Sequence, residues 1–238
     1  MKNIKKHIRD NSTIAEALIF GVGLLLVIFS KTIFREIGVS MIGSAIVVFM
    51  TDVFTRRDEL ESVKQWGLEA VYRTRGVMNG SSDLYFEKAK SVDIIAFGLK
   101  SWRDSQQDQI DKLLNRGGEI RIITMKPWCD ALKAREIDEN AGEGGISHSI
   151  EQLIEWAKRE NAKGYKGQIE IKYHDHLPLD FMYMMDNRLF TGPYEYGKGS
   201  QQTISFEYSN TGAAYEYYKD YFNKLWDDSG FCVDALKD

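Results

Sequence analysis

The chain has 238 residues, enough for one full-sized globular domain and a short extra module. A net charge of −4 excludes wholesale electrostatic binding of nucleic acid and leaves room only for a local basic patch. Its two cysteines, Cys129 and Cys232, imply no disulfide framework and read as reduced thiols.

The apolar residues are unevenly spread. Ile14 to Phe29 is apolar apart from Glu16, and the run reaches Phe34 if Lys31 snorkels outward. Ile37 to Phe54 is apolar apart from Asp52. Each run approaches the ~20 residues that cross a ~30 Å hydrocarbon core. The expectation is a transmembrane hairpin within residues 1–54, with spans of about 14–34 and 37–54. Lys2, Lys5, Lys6 and Arg9 precede it, Arg56, Arg57 and Lys64 follow it, and its turn carries only Lys31 and Arg35. That asymmetry places both ends in the cytoplasm of a bacterial inner membrane.

Small residues recur along these helices: Ala17 and Gly21, then Gly38, Ser40, Gly43 and Ser44. They allow close helix packing in lipid, within one hairpin or between copies of the chain. Glu16 and Asp52 either reach the headgroup region or face a bundle interior and mark an ion path.

Residues 55–80 read as a linker helix, whose apolar face holds Leu60, Val63, Leu68 and Val71 and which ends at the break Gly76, Asn79, Gly80 and Ser81. Residues 81–238 then form a cytosolic domain. Ser82 or Asp83 caps a short helix carrying Leu84, Phe86 and Ala89. A strand at Val92–Gly98, a helix at Ser101–Asn115 and a strand at Ile120–Met125 follow. Asp138 to Gly145 reads as a long loop, Ser147–Ala162 as a helix and Gln168–Tyr173 as a strand. Phe181–Met185 and Arg188–Thr191 flank an Asp186–Asn187 turn and so form a hairpin. Thr203–Tyr208 is a strand. Ala213–Trp226 is the last helix, with Tyr217, Tyr221, Phe222 and Leu225 inward and Tyr215 and Tyr218 outward. The fold class is α/β, a mixed sheet with helices on both faces.

The order of elements from Val92 to Trp226 resembles one half-domain of the phospholipase D superfamily. The phrases that carry the resemblance are VDIIAFG, NRGGEIRIITMKP, QIEIKYHDHLPLDFMYMMDNRLFTGPYE and ISFEYSNTGAAYEYYKDYFNKLW. Catalysis in that superfamily needs HxKxxxxD, in which the histidine attacks phosphorus and the lysine steadies the phosphate charge. With Asp186 on the motif aspartate, Leu179 takes the histidine position and Phe181 the lysine position. The resemblance therefore implies a pseudo-enzyme with no catalytic residue and no cofactor. It also implies a remnant cleft lined by Lys126, Arg135, Asp180, Asp186 and Tyr194. His174, Asp175 and His176 form a triplet whose imidazoles share a strand face, with His148 or Asp180 as a third ligand. Read as solvated strand-end residues instead, they hold no metal. The sequence has no CxxC, GxxxxGK[ST] or GxGxxG motif.

The layout as a whole resembles the two-helix effectors of bacterial phage-defence systems of the retron or cyclic-oligonucleotide type. That resemblance implies a membrane toxin held or triggered from the cytosol. Its partners are the lipid bilayer, a cytosolic defence-complex protein such as a reverse transcriptase with its nucleic acid, or a nucleotide signal, and further copies of itself. The alternatives are a membrane-anchored phosphodiesterase or phosphatidyltransferase, similar to cardiolipin synthases, and a passive membrane scaffold.

Overall fold

The structure, a computed structural model, describes residues 17–31, 33–178 and 180–237. The chain divides into two compact units, Met1–Val63 and Lys64–Asp238.

In the first unit, helix α1 covers Ala17–Phe29 and helix α2 begins at Ile33. The segment Ile33–Phe54 is long and apolar enough to cross a membrane, with 22 residues at a mean hydropathy of 1.9. The described part of α1 is apolar but shorter than a span requires, and Glu16 lies outside the described residues. One of the two expected spans thus meets the length and composition of a membrane helix.

The seam between α1 and α2 runs through Gly23 and Gly38, both buried. A Cβ on Gly38 would lie 2.7 Å from the Gly23 carbonyl oxygen, so the two backbones meet with no room for a side chain. Ala45, seven residues on from Gly38 and on the same helix face, is also buried. Of the predicted packing residues, Gly38 lies on this seam and the others fall elsewhere. Ala17, Ser40, Gly43 and Ser44 are exposed, and nothing lies within 4 Å of a Cβ on Gly21 or Gly43. Within the hairpin the seam follows the two-turn repeat of Gly38 and Ala45 rather than the four-residue spacing.

Helix α2 (Ile33–Trp66) ends sooner than the expected linker helix. Gly67 follows with φ +74°, a conformation that costs glycine little, and its amide donates to the Lys64 carbonyl. A Cβ on Gly212 would sit 2.2 Å from the Gly67 nitrogen, so the two glycines are needed as a pair. The chain then forms strand β1 (Leu68–Tyr72), not helix, and the expected break at Gly76–Ser81 lies inside helix α3 (Arg75–Phe86). Thr74 begins α3: its extended backbone and its hydroxyl, which accepts from the Val77 amide, cap the first turn.

The remaining elements are β2 (Ser91–Ile95), α4 (Lys100–Asn115), β3 (Glu119–Met125), α5 (Asp130–Asp138), α6 (Gly145–Asn161), β4 (Gln168–His174), β5 (Asp180–Met185), β6 (Arg188–Pro193), β7 (Ser205–Ser209), α7 (Ala213–Asp227) and β8 (Val233–Asp234). They build an eight-stranded sheet in the order β1-β7-β6-β5-β2-β3-β4-β8. The β2–β3 and β3–β4 pairs are parallel and the others antiparallel, which gives the mixed sheet expected.

Alternation along the strands splits the core into two layers. Val92, Ile94, Ile120, Ile122, Phe181 and Tyr183 face α3, α4 and α6. Ile95, Ile123, Met182, Met184 and Leu189 face α7 through Tyr215, Phe222 and Trp226. Helices therefore cover both faces. Tyr217 and Tyr221, expected inward, are exposed. Tyr215, expected outward, is buried and its hydroxyl donates to the carbonyls of Met185 and Asp186 at 3.1 Å each.

Candidate binding pocket

A cavity of about 430 Å³ lies under α3 and the start of α4, on the sheet face that carries Ile94, Ala96 and Tyr183. It is the size of a small-molecule site.

Arg75 enters it from the first turn of α3. Its amide donates to the Thr203 carbonyl at 2.8 Å, which fixes the direction of the side chain. Arg75 is 9% exposed, and its guanidinium carbon sits 4.0 Å from the centre of the Phe181 ring. Arg121, Arg135 and Arg188 each meet a carboxylate; among the described residues Arg75 meets none. A cation–π contact supplies ~0.5–2 kcal/mol. Taking a guanidinium out of water costs several kcal/mol. The ring alone does not balance the charge.

Tyr194 closes the pocket from the end of β6. Its ring lies 4.6 Å from that of Phe97 and 6.5 Å from that of Phe181. Its hydroxyl is buried beside Arg75; burial raises the phenol and the nearby guanidinium opposes the rise. At the opposite lip α4 starts from Leu99, a non-glycine residue with φ +51°. No side chain caps α4 and no acid occupies its first turn, so its amides and dipole are open to an anion. Lys100 stands there on the surface, 2.8 Å from Asp104.

The wall is aromatic. Trp102 donates to the Tyr183 hydroxyl at 3.3 Å and packs 5.7 Å from the Phe86 ring. Asp83 is the carboxylate on the lining; it accepts from Gln106 at 2.7 Å, and burial pushes its pKa up.

Of the five residues expected in a cleft, only Tyr194 lines this one. Lys126 is exposed past the end of β3, 5.7 Å from the Tyr173 ring. Arg135 is 3% exposed and fully engaged: it pairs with Glu139 and donates to the carbonyls of Glu195 at 3.0 Å and Lys198 at 3.3 Å. Asp180 belongs to the α7 side, where it accepts from Tyr218 at 3.4 Å and burial raises its pKa. Asp186 sits in the hairpin turn at the far end of β5, ~20 Å from Asp180 at ~3.3 Å per residue. There it accepts from the amides of Lys90 and Ser91 at 2.9 Å each and ties the start of β2. A turn aspartate with this job is structural, so it cannot share a cleft with the other four.

Leu179 lies outside the described residues; Phe181 is 0% exposed, part of the core rather than of a catalytic surface. Arg75 falls in the stretch 55–80 that reads as a linker helix; Asp83 reads only as a helix cap, and Lys100 and Trp102 belong to no motif that marks a site.

The histidine triplet has another role. The Phe231 ring stacks 4.9 Å from that of His174 and 5.0 Å from that of His176. His148 is paired with Glu151 on α6 and packs against Trp128. Among the described residues no group of three or more His, Cys, Asp or Glu is placed to hold a metal.

Among curated proteins none matches the chain. Solved structures resemble it at low identity. TrmBL2, an archaeal chromatin protein whose structure shows a novel mode of DNA binding, is 15% identical, with 82% of this chain and 68% of that one covered at a TM-score of 0.43. NucT from Helicobacter pylori is 13% identical, with 69% of this chain and 97% of that one covered, also at a TM-score of 0.43. A family model, described as a domain of unknown function (DUF5919), matches residues 70–193, a stretch that takes in Arg75, α4 and Tyr194, and the chain belongs to that family.

Proposed function

We propose that this protein is a membrane-embedded effector of a bacterial antiphage defence system, anchored in the inner membrane by its N-terminal helices with both termini in the cytoplasm. Its α/β unit is a phospholipase D-like domain that has lost catalysis and senses or docks a partner, and so controls membrane permeabilisation by the helices. The observation that carries this reading is Phe181: the position that a phospholipase D motif gives to lysine holds a fully buried ring, covered by Arg75. A phosphate could not reach a general acid or nucleophile there, yet a cavity persists beside it. The partner is a cytosolic defence-complex protein, such as a reverse transcriptase with its nucleic acid, or a nucleotide signal.

The helices supply the second half of the reading. Gly38→Leu would drive a side chain into the Gly23 carbonyl and separate α1 from α2, whereas Gly43→Leu points into open space. Expression in bacteria with a potential-sensitive dye should show depolarisation that Gly38→Leu abolishes. Loss in Gly43→Leu as well would add packing between copies. Unchanged potential and growth, with the neighbouring genes co-expressed, would sink the effector reading.

A further inference from the structure

We propose that the cavity between α3 and α4 binds a small organic phosphate of the nucleotide class, with its phosphate at Arg75 and its base against the aromatic wall. This rests on reading that cavity as the sensing site and gives the site a ligand. Three independent features select the chemistry. The first is charge: Arg75, more than nine-tenths buried as a residue and with no carboxylate partner among the described residues, lines a partly open cavity. The second is the α4 terminus at the same cavity, which has neither a capping side chain nor an acid in its first turn. Lys100, paired with Asp104 at 2.8 Å, adds an exposed cation at the lip. Together they prefer a compact, multiply charged oxyanion to a carboxylate, because the donors approach from more than one side.

The third feature separates a nucleotide from free phosphate. The cavity of about 430 Å³ is several times the volume of a phosphate ion, and its wall includes the rings of Phe97, Trp102 and Tyr183 beside Met78 and Ile94 and the amides of Asn79 and Gln201. Asp83 lies on that wall with its carboxyl held by Gln106 at 2.7 Å. It repels a second anionic group and accepts from neutral hydroxyls, as a ribose presents. A ligand charged at one end and flat and uncharged at the other matches the guanidinium at one side and the rings at the other.

The test is titration calorimetry on the full chain in lipid nanodiscs, with AMP, GMP, CMP and UMP, and with adenosine, inorganic phosphate and glycerol 3-phosphate as comparators. At least one mononucleotide should bind saturably and about tenfold or more tighter than any comparator. Arg75→Met should weaken it by about tenfold or more, and Lys100→Gln, on an exposed side chain, by a few-fold. Lys100→Gln keeps the test decisive should Arg75→Met fail to fold, which its thermal melt reports. Absence of binding by all four nucleotides overturns the proposal. So does adenosine or glycerol 3-phosphate binding as tightly as the nucleotide, or affinity untouched in Lys100→Gln and in folded Arg75→Met. Nucleotide binding without depolarisation in cells overturns the effector reading alone; depolarisation without nucleotide binding overturns this ligand alone.

Discussion

The N-termini of α4 and α6 begin alike. Each follows a residue in the left-handed region, Leu99 at φ +51° and Gly144 at φ +74°, and neither N-cap side chain caps its own helix. At α6 the missing cap comes from α5: Glu136, buried, accepts from the amides of Gly144, Ile146 and Ser147 at 2.8, 2.9 and 2.8 Å and from the Ser147 hydroxyl at 3.1 Å. Its neighbour Arg135 is equally complete, with a carboxylate and two carbonyls. At α4 nothing among the described residues plays either part, and Arg75 stands beside it without an acid among them. Tyr194 packs between the two corners, 5.3 Å from the Arg135 guanidinium and lining the cavity that holds Arg75. One corner carries its counter-charges within the chain and serves stability. The other leaves them to be supplied, which is the mark of a binding site.

The largest effect should come from emptying the filled corner. Glu136→Ala strands three backbone amides and a hydroxyl in a dry site and should cost ~3–4 kcal/mol in chemical denaturation. Its pKa is held down by those donors against the opposing pull of burial. A depressed carboxylate stabilises fully above its unfolded pKa of ~4.3 and less as pH falls through the folded value, so Glu136→Ala should also flatten the acid limb. A loss under 1 kcal/mol would mean that the α6 amides find water and that the two corners do not differ as argued.

The paired arginines come next. Arg135→Met leaves the half-buried Glu139 with only the Ser200 hydroxyl, at 3.0 Å, among the described residues and should cost ~2–3 kcal/mol. Arg75→Met removes an uncompensated charge and puts an apolar chain on Phe181, so stability should stay within about 1 kcal/mol of the parent or rise. Equal losses in the two would erase the distinction between them.

The core of this contrast was only half legible in the sequence. The apolar runs VDIIAFG and EIRIITM fix β2 and β3 because buried parallel strands are apolar on both faces, and the DN turn fixes the β5–β6 hairpin. Leu68 and Val71 fit a helical face as well as a strand, so β1 was hidden; Gly67 was the signal, a left-handed stop whose need shows only against Gly212. The α5 helix was hidden because Leu132, Arg135 and Glu136 are its buried residues, and two of the three carry charge. Arg75 could not be read as functional at all. Its meaning depends on which side chains fail to surround it, and that is a property of the fold.

His174 handles burial in a third way, neither paired nor exposed. Burial holds its pKa down at about 4, and its Nδ1 accepts from the His176 amide at 3.2 Å, so the neutral ring is built into the end of β4. The unfolded chain takes up a proton near pH 6.5 and the folded chain does not, so stability should fall by on the order of 2 kcal/mol between about pH 6.5 and pH 4. His174→Phe should retain the Phe231 stack and lose that slope. A slope that persists in the variant assigns it to the carboxylates instead.

The smallest effect is expected at Asp186, a filled anion site at the surface. It accepts from two amides and the Ser91 hydroxyl, as Glu136 does at α6, but solvent reaches the turn. Asp186→Asn keeps one acceptor oxygen and water replaces the rest, so the loss should be about 1 kcal/mol against the ~3–4 kcal/mol at Glu136. Nucleotide affinity should be unchanged, because the turn lies at the other end of β5 from the cavity. A fall in affinity without a fall in melting temperature would place Asp186 in the binding machinery and revive the cleft that a phospholipase D motif would predict.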